Sequence, residues 1–363
     1  MGANASMKIG IDARKIADTG IGRYIDNLIR ALLEQERDHK YVLFLAPEHV
    51  GAYSFPGERV ENVCVKAGKY SLREHWALGA MARRAEVDLF HEPHFTLPLY
   101  TPCKKVVTIH DVIHLLAPKV GTMQKTYARW MISSALKRAD QVITVSNHTK
   151  ENLVAMFGAD PDRITVTYNA ADSGFGPMGR EDIDKELGKL DIAQGYFLFV
   201  GSDRPHKNIE AVANAMAVMR PDTRFVIVGR MAMSAKALFS PFEGRVTFVN
   251  NAGKKTITAL YAGARALFFP SYMEGFGLPP LEAMACGTPT VVSNRSSIPE
   301  VVGEAAALVD PDDVAGAAEL LERLRDDERF HTELASKGMA QAASFSWKET
   351  ARRTLEVYER AMS

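Results

Sequence analysis

Ser271-Tyr-Met-Glu-Gly-Phe-Gly-Leu-Pro-Pro-Leu-Glu-Ala-Met-Ala-Cys-Gly-Thr-Pro-Thr290 joins two carboxylates, Glu274 and Glu282, through a glycine turn and the opening of a helix near Leu278. Gly275 and Gly277 let backbone approach a ligand closely, and a helix start offers N–H groups that favour an anion. Glu274 precedes the turn and Glu282 lies a little over one helical turn beyond it, so two acceptors can reach different hydroxyl-bearing parts of one ligand. That combination fits a sugar carrying a phosphate. The plain alternative is a strand-to-helix connection flanked by two solvated glutamates.

The full string is more specific than any of its residues. Through Pro270-Ser271, Glu274-Gly-Phe-Gly-Leu278 and Leu281-Glu-Ala-Met284 it resembles the E-x7-E signature of retaining glycosyltransferases of family 4. The resemblance implies the α/β GT-B fold: two Rossmann-like, doubly wound domains facing across a cleft, with a C-terminal helix crossing back to the N-terminal domain. It also implies that Glu282 holds the nucleotide ribose, that Glu274 holds donor-sugar hydroxyls, and that N–H groups around Phe276, Gly277 and Leu278 meet phosphate and sugar.

Outward from this motif, the chain alternates short apolar runs with helical spacing. Strands are expected at Lys8 to Ile11, Val42 to Leu45, Val63 to Val65, Val87 to Phe90, Val106 to Ile109 and Val142 to Val145, with helices over 22–34, 72–85, 121–138 and 147–157. The pattern breaks at Tyr168 to Pro177, and a charged segment runs to about Asp191, the expected linker. A second alternation follows, with strands at Phe197 to Val200, Phe225 to Val228, Val246 to Val249, Ala266 to Phe269, Thr290 to Val292 and Ala306 to Val309. The expected organisation is an acceptor-binding domain over 7–175, a sugar-nucleotide-binding domain over 190–345 and a crossover helix over 346–363.

Gly201-Ser-Asp-Arg-Pro-His-Lys-Asn-Ile209 is a glycine turn with two fixed cations, Arg204 and Lys207, before a helix. A departing diphosphate needs such cations, since preorganised Lys and Arg stabilise its developing charge without a metal. The loop departs from its relatives in carrying Ser202 after Gly201 and His206 before Lys207. Asp18-Thr-Gly-Ile-Gly-Arg-Tyr24 resembles the family's N-terminal glycine loop, so Gly20 and Gly22 are expected to approach the donor. It is no dinucleotide fingerprint, because position 25 is Ile25. His110-Asp111 ends a strand and resembles the family's His-Asp, whose histidine sits by the donor sugar. His91 and His94 end the preceding strand, where they line the acceptor side or cap a loop. His91, His94, His110 and His114 share no helical face and no carboxylate-rich cluster, so neither metal nor cofactor is expected. Asn169 and Asp172 read as hinge residues, with Ala170 where the family carries glycine.

The 363 residues, 47% of them hydrophobic, suit two soluble α/β domains. Zero net charge argues against nucleic acid as a partner, although residues 1–180 hold 23 Lys and Arg against 19 Asp and Glu while the remainder holds 21 against 25. Cys64, Cys103 and Cys286 lie far apart and form neither a disulfide framework nor a zinc motif. The start Met1 to Ser6 reads as an expression scar before a natural Met7 and lacks the features of a signal peptide. No apolar run approaches the roughly 18 residues of a membrane span. A cytoplasmic protein is expected, peripheral at the inner face of the membrane if Arg73, Trp76, Arg83 and Arg84 on one helix and Lys125, Arg129, Trp130, Lys137 and Arg138 on another meet anionic headgroups. The alternative is that both helices pack on the sheet with solvated charges.

Ile9-Gly-Ile-Asp-Ala-Arg14 with Thr19-Gly-Ile-Gly-Arg-Tyr24 looks most like mannosyltransferases of bacterial polysaccharide and O-antigen assembly. The resemblance implies GDP-mannose as donor, with UDP-glucose or UDP-N-acetylglucosamine open, and a saccharide or lipid-linked saccharide as acceptor. A GT-B epimerase or hydrolase, or a non-catalytic sugar-nucleotide sensor, would share the nucleotide pocket.

Overall fold

A computed structural model describes residues 6–35, 38–53, 55, 58–66, 72–117 and 120–363, with the side chains of 72–75 excepted. The start Met1 to Ala5 lies outside the described residues, as does the side chain of Arg73. The chain divides into two compact units. The first holds the described residues up to Leu115, Val120–Asn169 and Trp347–Ser363, and the second is essentially Ala170–Ser346.

Among the described residues the first unit contains seven strands: β1 (Lys8–Asp12), β2 (Lys40–Leu45), β3 (Val60–Cys64), β4 (Leu89–Glu92), β5 (Lys104–Ile109), β6 (Gln141–Thr144) and β7 (Ile164–Val166). They pair in parallel in the order β3-β2-β1-β4-β5-β6-β7. Continuous apolar runs such as Val42-Leu-Phe-Leu45, buried throughout, are what a parallel sheet covered on both faces demands. β7 goes unannounced in the sequence because three residues are too few to set a period, and tertiary pairing of Val142 with Ile164 decides it. β3 starts three residues earlier than its apolar run, since Glu61 and Asn62 face solvent on an edge strand. The helix Trp347–Met362 belongs to this unit and packs on the helix Thr19–Gln35, with Tyr358 fully buried.

The second unit has six parallel strands among its described residues: β8 (Tyr196–Val200), β9 (Phe225–Val228), β10 (Val246–Val249), β11 (Ala264–Phe269), β12 (Thr290–Ser293) and β13 (Ala307–Val309). Their order is β10-β9-β8-β11-β12-β13. The charged stretch expected as linker forms the helix Arg180–Gly188, which packs on the helix Lys254–Ala262 inside this unit. In both sheets the order reverses at one place, between β1 and β4 and between β8 and β11. Crossover helices diverge there, which opens a crevice at the strands' carboxyl ends.

Candidate active site

In the second unit the loops that leave β8 and β11 carry the two motifs singled out in the sequence, so the fold brings Lys207 and Glu274 together at the sheet's reversal point. Lys207 Nζ donates to both oxygens of Glu274, at 2.7 and 2.9 Å, and lies 5.2 Å from the centre of the Phe269 ring. Both side chains are largely buried, 17% and 9% exposed, so their mutual attraction is weakly screened. Arg204 starts the short turn Pro205–Lys207; its side chain is exposed and pairs with no other described residue. His206 is buried, and its carbonyl accepts from Tyr272 N, which ties the cationic loop to the Glu274 loop.

Gly277 adopts φ +112° immediately before the helix Leu278–Ala285, and a methyl there would stand 2.7 Å from the Ile298 side chain. The helix start provides fewer donors than its length implies. Pro279 and Pro280 occupy the first turn without N–H groups, so an anion here relies on the Gly277 and Leu278 N–H groups and on the cationic loop. Phe276 is buried against the ring of Phe345. Glu282, 2% exposed, accepts at Oε2 from the Tyr261 hydroxyl at 2.8 Å. Gly201 N donates to the Val228 carbonyl, and Gly229 lies so close that a methyl on it would stand 1.7 Å from the Gly201 oxygen.

At the first unit's reversal point the carboxyl ends of β1 and β4 bury Asp12, Arg14, Lys15, Glu92 and His94. Arg14 binds Asp12 through Nε at 2.9 Å and through Nη2. Burial works to raise the Asp12 carboxyl, but the hydrogen bonds and charge of Arg14 hold it below its ordinary value. Burial, reinforced by the Asp12 charge, drives Glu92 well above its own. Lys15 Nζ lies 2.8 Å from His94 Nδ1. His91 is fixed between the Tyr358 hydroxyl and Thr108 Oγ1, both at 2.8 Å.

His110 follows β5. Its Nε2 lies 3.0 Å from the Pro93 carbonyl, which can only accept, so Nε2 carries the hydrogen and Nδ1 is an acceptor in the neutral ring. Burial lowers its pKa to about 4 against the pull of that hydrogen bond, so the ring is neutral near pH 7. Tyr24 packs edge-on against it at 4.7 Å. Gly20 and Gly22 lie in the first turn of the helix Thr19–Gln35, which begins three residues before the expected start. Gly22 is pressed against the Ile16 carbonyl, where a methyl would sit at 2.3 Å, whereas Gly20 is exposed with open space around it. Asn169 is buried at the end of the first unit, and Asp172 in the second pairs with Lys254 at 3.6 Å.

Four residues at the second unit's site escape sequence reasoning. Tyr261 and Gly229 stand in stretches without a motif. Ser296 Oγ accepts from Glu274 N and donates to Glu274 O, and Ser297 Oγ reaches the carbonyls of Glu274 and Phe276. Their one legible signal was position, as Asn294-Arg-Ser-Ser297 leaves the carboxyl end of a strand in a parallel sheet. Among the described residues no group of three His, Cys, Asp or Glu could hold a metal ion.

On the first unit's surface the helix Thr122–Arg138 exposes Met123, Tyr127 and Trp130, and the helix Leu72–Arg84 exposes Trp76. Arg138 differs from the sequence expectation, since it is half-buried and donates to the carbonyls of Leu97 and Pro98. No helix among the described residues is long and apolar enough to cross a membrane.

The family model described as glycosyl transferases group 1 matches residues 181–341, and that of glycosyltransferase family 4 matches residues 19–175. An O-antigen chain mannosyltransferase B of Escherichia coli is 30% identical over 94% of this chain and 96% of its own. Among solved structures, a sucrose-phosphate synthase from Thermosynechococcus elongatus superposes with a TM-score of 0.82 at 20% identity, over 98% of both chains. Anabaena HepE, solved in complex with UDP and glucose, does so with 0.80 at 19%, over 97% of this chain and 99% of its own.

Proposed function

The chain belongs to glycosyltransferase family 4 and is a glycosyltransferase, and from that premise we propose that it moves mannose from GDP-mannose, with retention, to a saccharide or lipid-linked saccharide acceptor in cell-surface polysaccharide synthesis. One observation carries the donor half of this reading: Lys207 and Glu274 meet at 2.7 Å where the second unit's sheet reverses. A sugar diphosphate needs a cation for its leaving phosphate and an acceptor for its sugar hydroxyls within one ligand's reach, and this pair supplies both. Mannose rests on the E. coli relative's name.

In the proposed reaction the donor's diphosphate departs against Lys207 and Arg204 while the acceptor hydroxyl attacks from the same face. The Gly277 and Leu278 N–H groups receive phosphate, and Glu282, oriented by Tyr261, holds the ribose hydroxyls. Glu274 holds sugar hydroxyls whose bonds tighten as the sugar becomes cationic. Neutral His110, in the first unit, offers Nδ1 as a hydrogen-bond acceptor. Charge stabilisation comes from side chains, so the reaction is proposed to run without metal or cofactor. The acceptor is assigned to the first unit, and its aromatic and basic helix Thr122–Arg138 to anionic lipid headgroups at the inner face of the membrane.

Nucleotide release from GDP-mannose, UDP-glucose and UDP-N-acetylglucosamine, each with acceptor and with or without EDTA, tests the reading. GDP-mannose should be turned over in excess EDTA with sugar appearing on the acceptor. Turnover of a UDP-sugar alone would replace the mannose reading with the UDP-dependent one, to which the HepE complex directs attention. Sugar lost to water would mark a hydrolase, and activity restored only by Mg²⁺ or Mn²⁺ would end metal independence.

A further inference from the structure

We propose that Ser296 is a positioning residue for the glycosyl transfer, holding Glu274 in its reactive orientation by clamping that residue's backbone from a separate loop. The inference rests on the donor role of Glu274 proposed above. β11 ends at Phe269 and the next helix begins at Leu278, so Glu274 lies in irregular chain whose N–H and C=O have no ladder or helix to hold them. One hydroxyl supplies both partners: Ser296 Oγ accepts from Glu274 N at 2.8 Å and donates to Glu274 O at 2.7 Å. With both backbone groups tied to one atom, rotation of the peptide planes around Glu274 is blocked, and the side chain's starting direction with it.

Two features set this contact apart from ordinary loop packing. Ser296 has φ +63°, a left-handed conformation uncommon outside glycine, which costs free energy that the surroundings must offset. Ser297 stands at the N-cap of the helix Ile298–Val302 yet makes no side-chain capping bond. Its fully buried hydroxyl instead reaches the Glu274 and Phe276 carbonyls at 3.0 and 2.9 Å, sharing one hydrogen between them. Two consecutive serines thus forgo locally favourable arrangements to hold the same glutamate loop.

The clamp's loop is also tied to the chain beyond β13. Arg295 bonds Asp310 at 2.9 Å and Asp312 at 3.0 Å beyond β13, Asp312 also accepts from the Tyr272 hydroxyl at 2.6 Å, and Ile298 closes over Gly277. Glu274 is therefore referenced to β12 and β13 as well as to its own strand.

The test measures kcat, donor KM and melting temperature for Ser296→Ala and Ser296→Gly, alone and with Glu274→Ala. Glycine adopts the left-handed conformation without strain, so Ser296→Gly keeps the loop's path while deleting the hydroxyl. Both variants should lower kcat by roughly tenfold, the worth of one or two net hydrogen bonds, with donor KM changed far less. Beside Glu274→Ala the same substitutions should cost almost nothing more, because their effect passes through the missing carboxylate. An equal loss of kcat in both backgrounds, or a lower melting temperature with kcat intact, overturns the inference. Glu274→Ala with normal turnover overturns the donor reading itself, which is distinguishable because it appears before Ser296 is touched.

Discussion

Removing the Lys207 ammonium tests whether the ion pair at the second unit's reversal point is there for chemistry or for stability. Lys207→Met keeps most of the apolar stem over Phe269 but leaves the Glu274 carboxylate, 9% exposed, without its cation. Breaking a buried pair from one side costs about 3 kcal/mol at the lower end of its usual range, appropriate to a pair that retains some contact with water. For a unit of this size that corresponds to a melting temperature lower by about 6–12 °C. Losing one preorganised charge on the leaving group should lower kcat/KM by roughly 10²–10³. The double variant Lys207→Met/Glu274→Gln separates the two effects. With no uncompensated charge its melting temperature should return most of the way, while nucleotide release stays as low as in the single variant or lower. Calorimetry and a continuous nucleotide-release assay on the same preparations decide the matter. Activity that recovers in step with the melting temperature would refute the catalytic reasoning and leave a structural salt bridge.

Three further outcomes follow from the geometry. Arg204→Ala should cost at least about tenfold in kcat/KM, with Arg204→Lys recovering part, because a charge-assisted bond to phosphate is worth about 1.5–3 kcal/mol and the planar fork is lost in lysine; steady-state kinetics with no change for either variant would return the role to Lys207 alone. His110, held neutral when folded with a pKa of about 4, takes up its proton more readily when unfolded, so the stability it contributes is present above pH 6.5 and lost as pH falls from 6.5 toward 4; burial lowers His91 and His94 as well, so His110→Asn should lessen rather than abolish the slope of the thermal-melting profile across that window, and an unchanged slope would contradict the assigned neutral state. Sedimentation should show binding to anionic but not neutral liposomes, weakened by Trp130→Ala with Lys125→Ala but untouched by Arg138→Lys if the lipid contact is right, and equal binding to both liposomes would defeat the electrostatic version.

The sequence alone carried the two parallel α/β alternations, because strands buried on both faces are continuous apolar runs and their helices keep a regular period. It also carried Glu274, Glu282 and Lys207 as candidates through the residue types of their motifs, and His110 through the resemblance of His110-Asp111 to the family's His-Asp. It could not reveal what depends on distant segments meeting. β7 exists because Ile164 finds Val142, and the first turn of the helix Thr19–Gln35 packs Gly22 against the Ile16 carbonyl where no side chain would fit. Tyr261 acquires its place from a bond to Glu282, and Ser296 from a clamp on a residue 22 positions away. Such contacts arise from strand order and from which loops share a sheet edge, and no local period or composition encodes either. The neutral state of His110 likewise comes from burial, and its tautomer from the Pro93 carbonyl, so only the tertiary structure turns a histidine in a motif into a hydrogen-bond acceptor of known orientation.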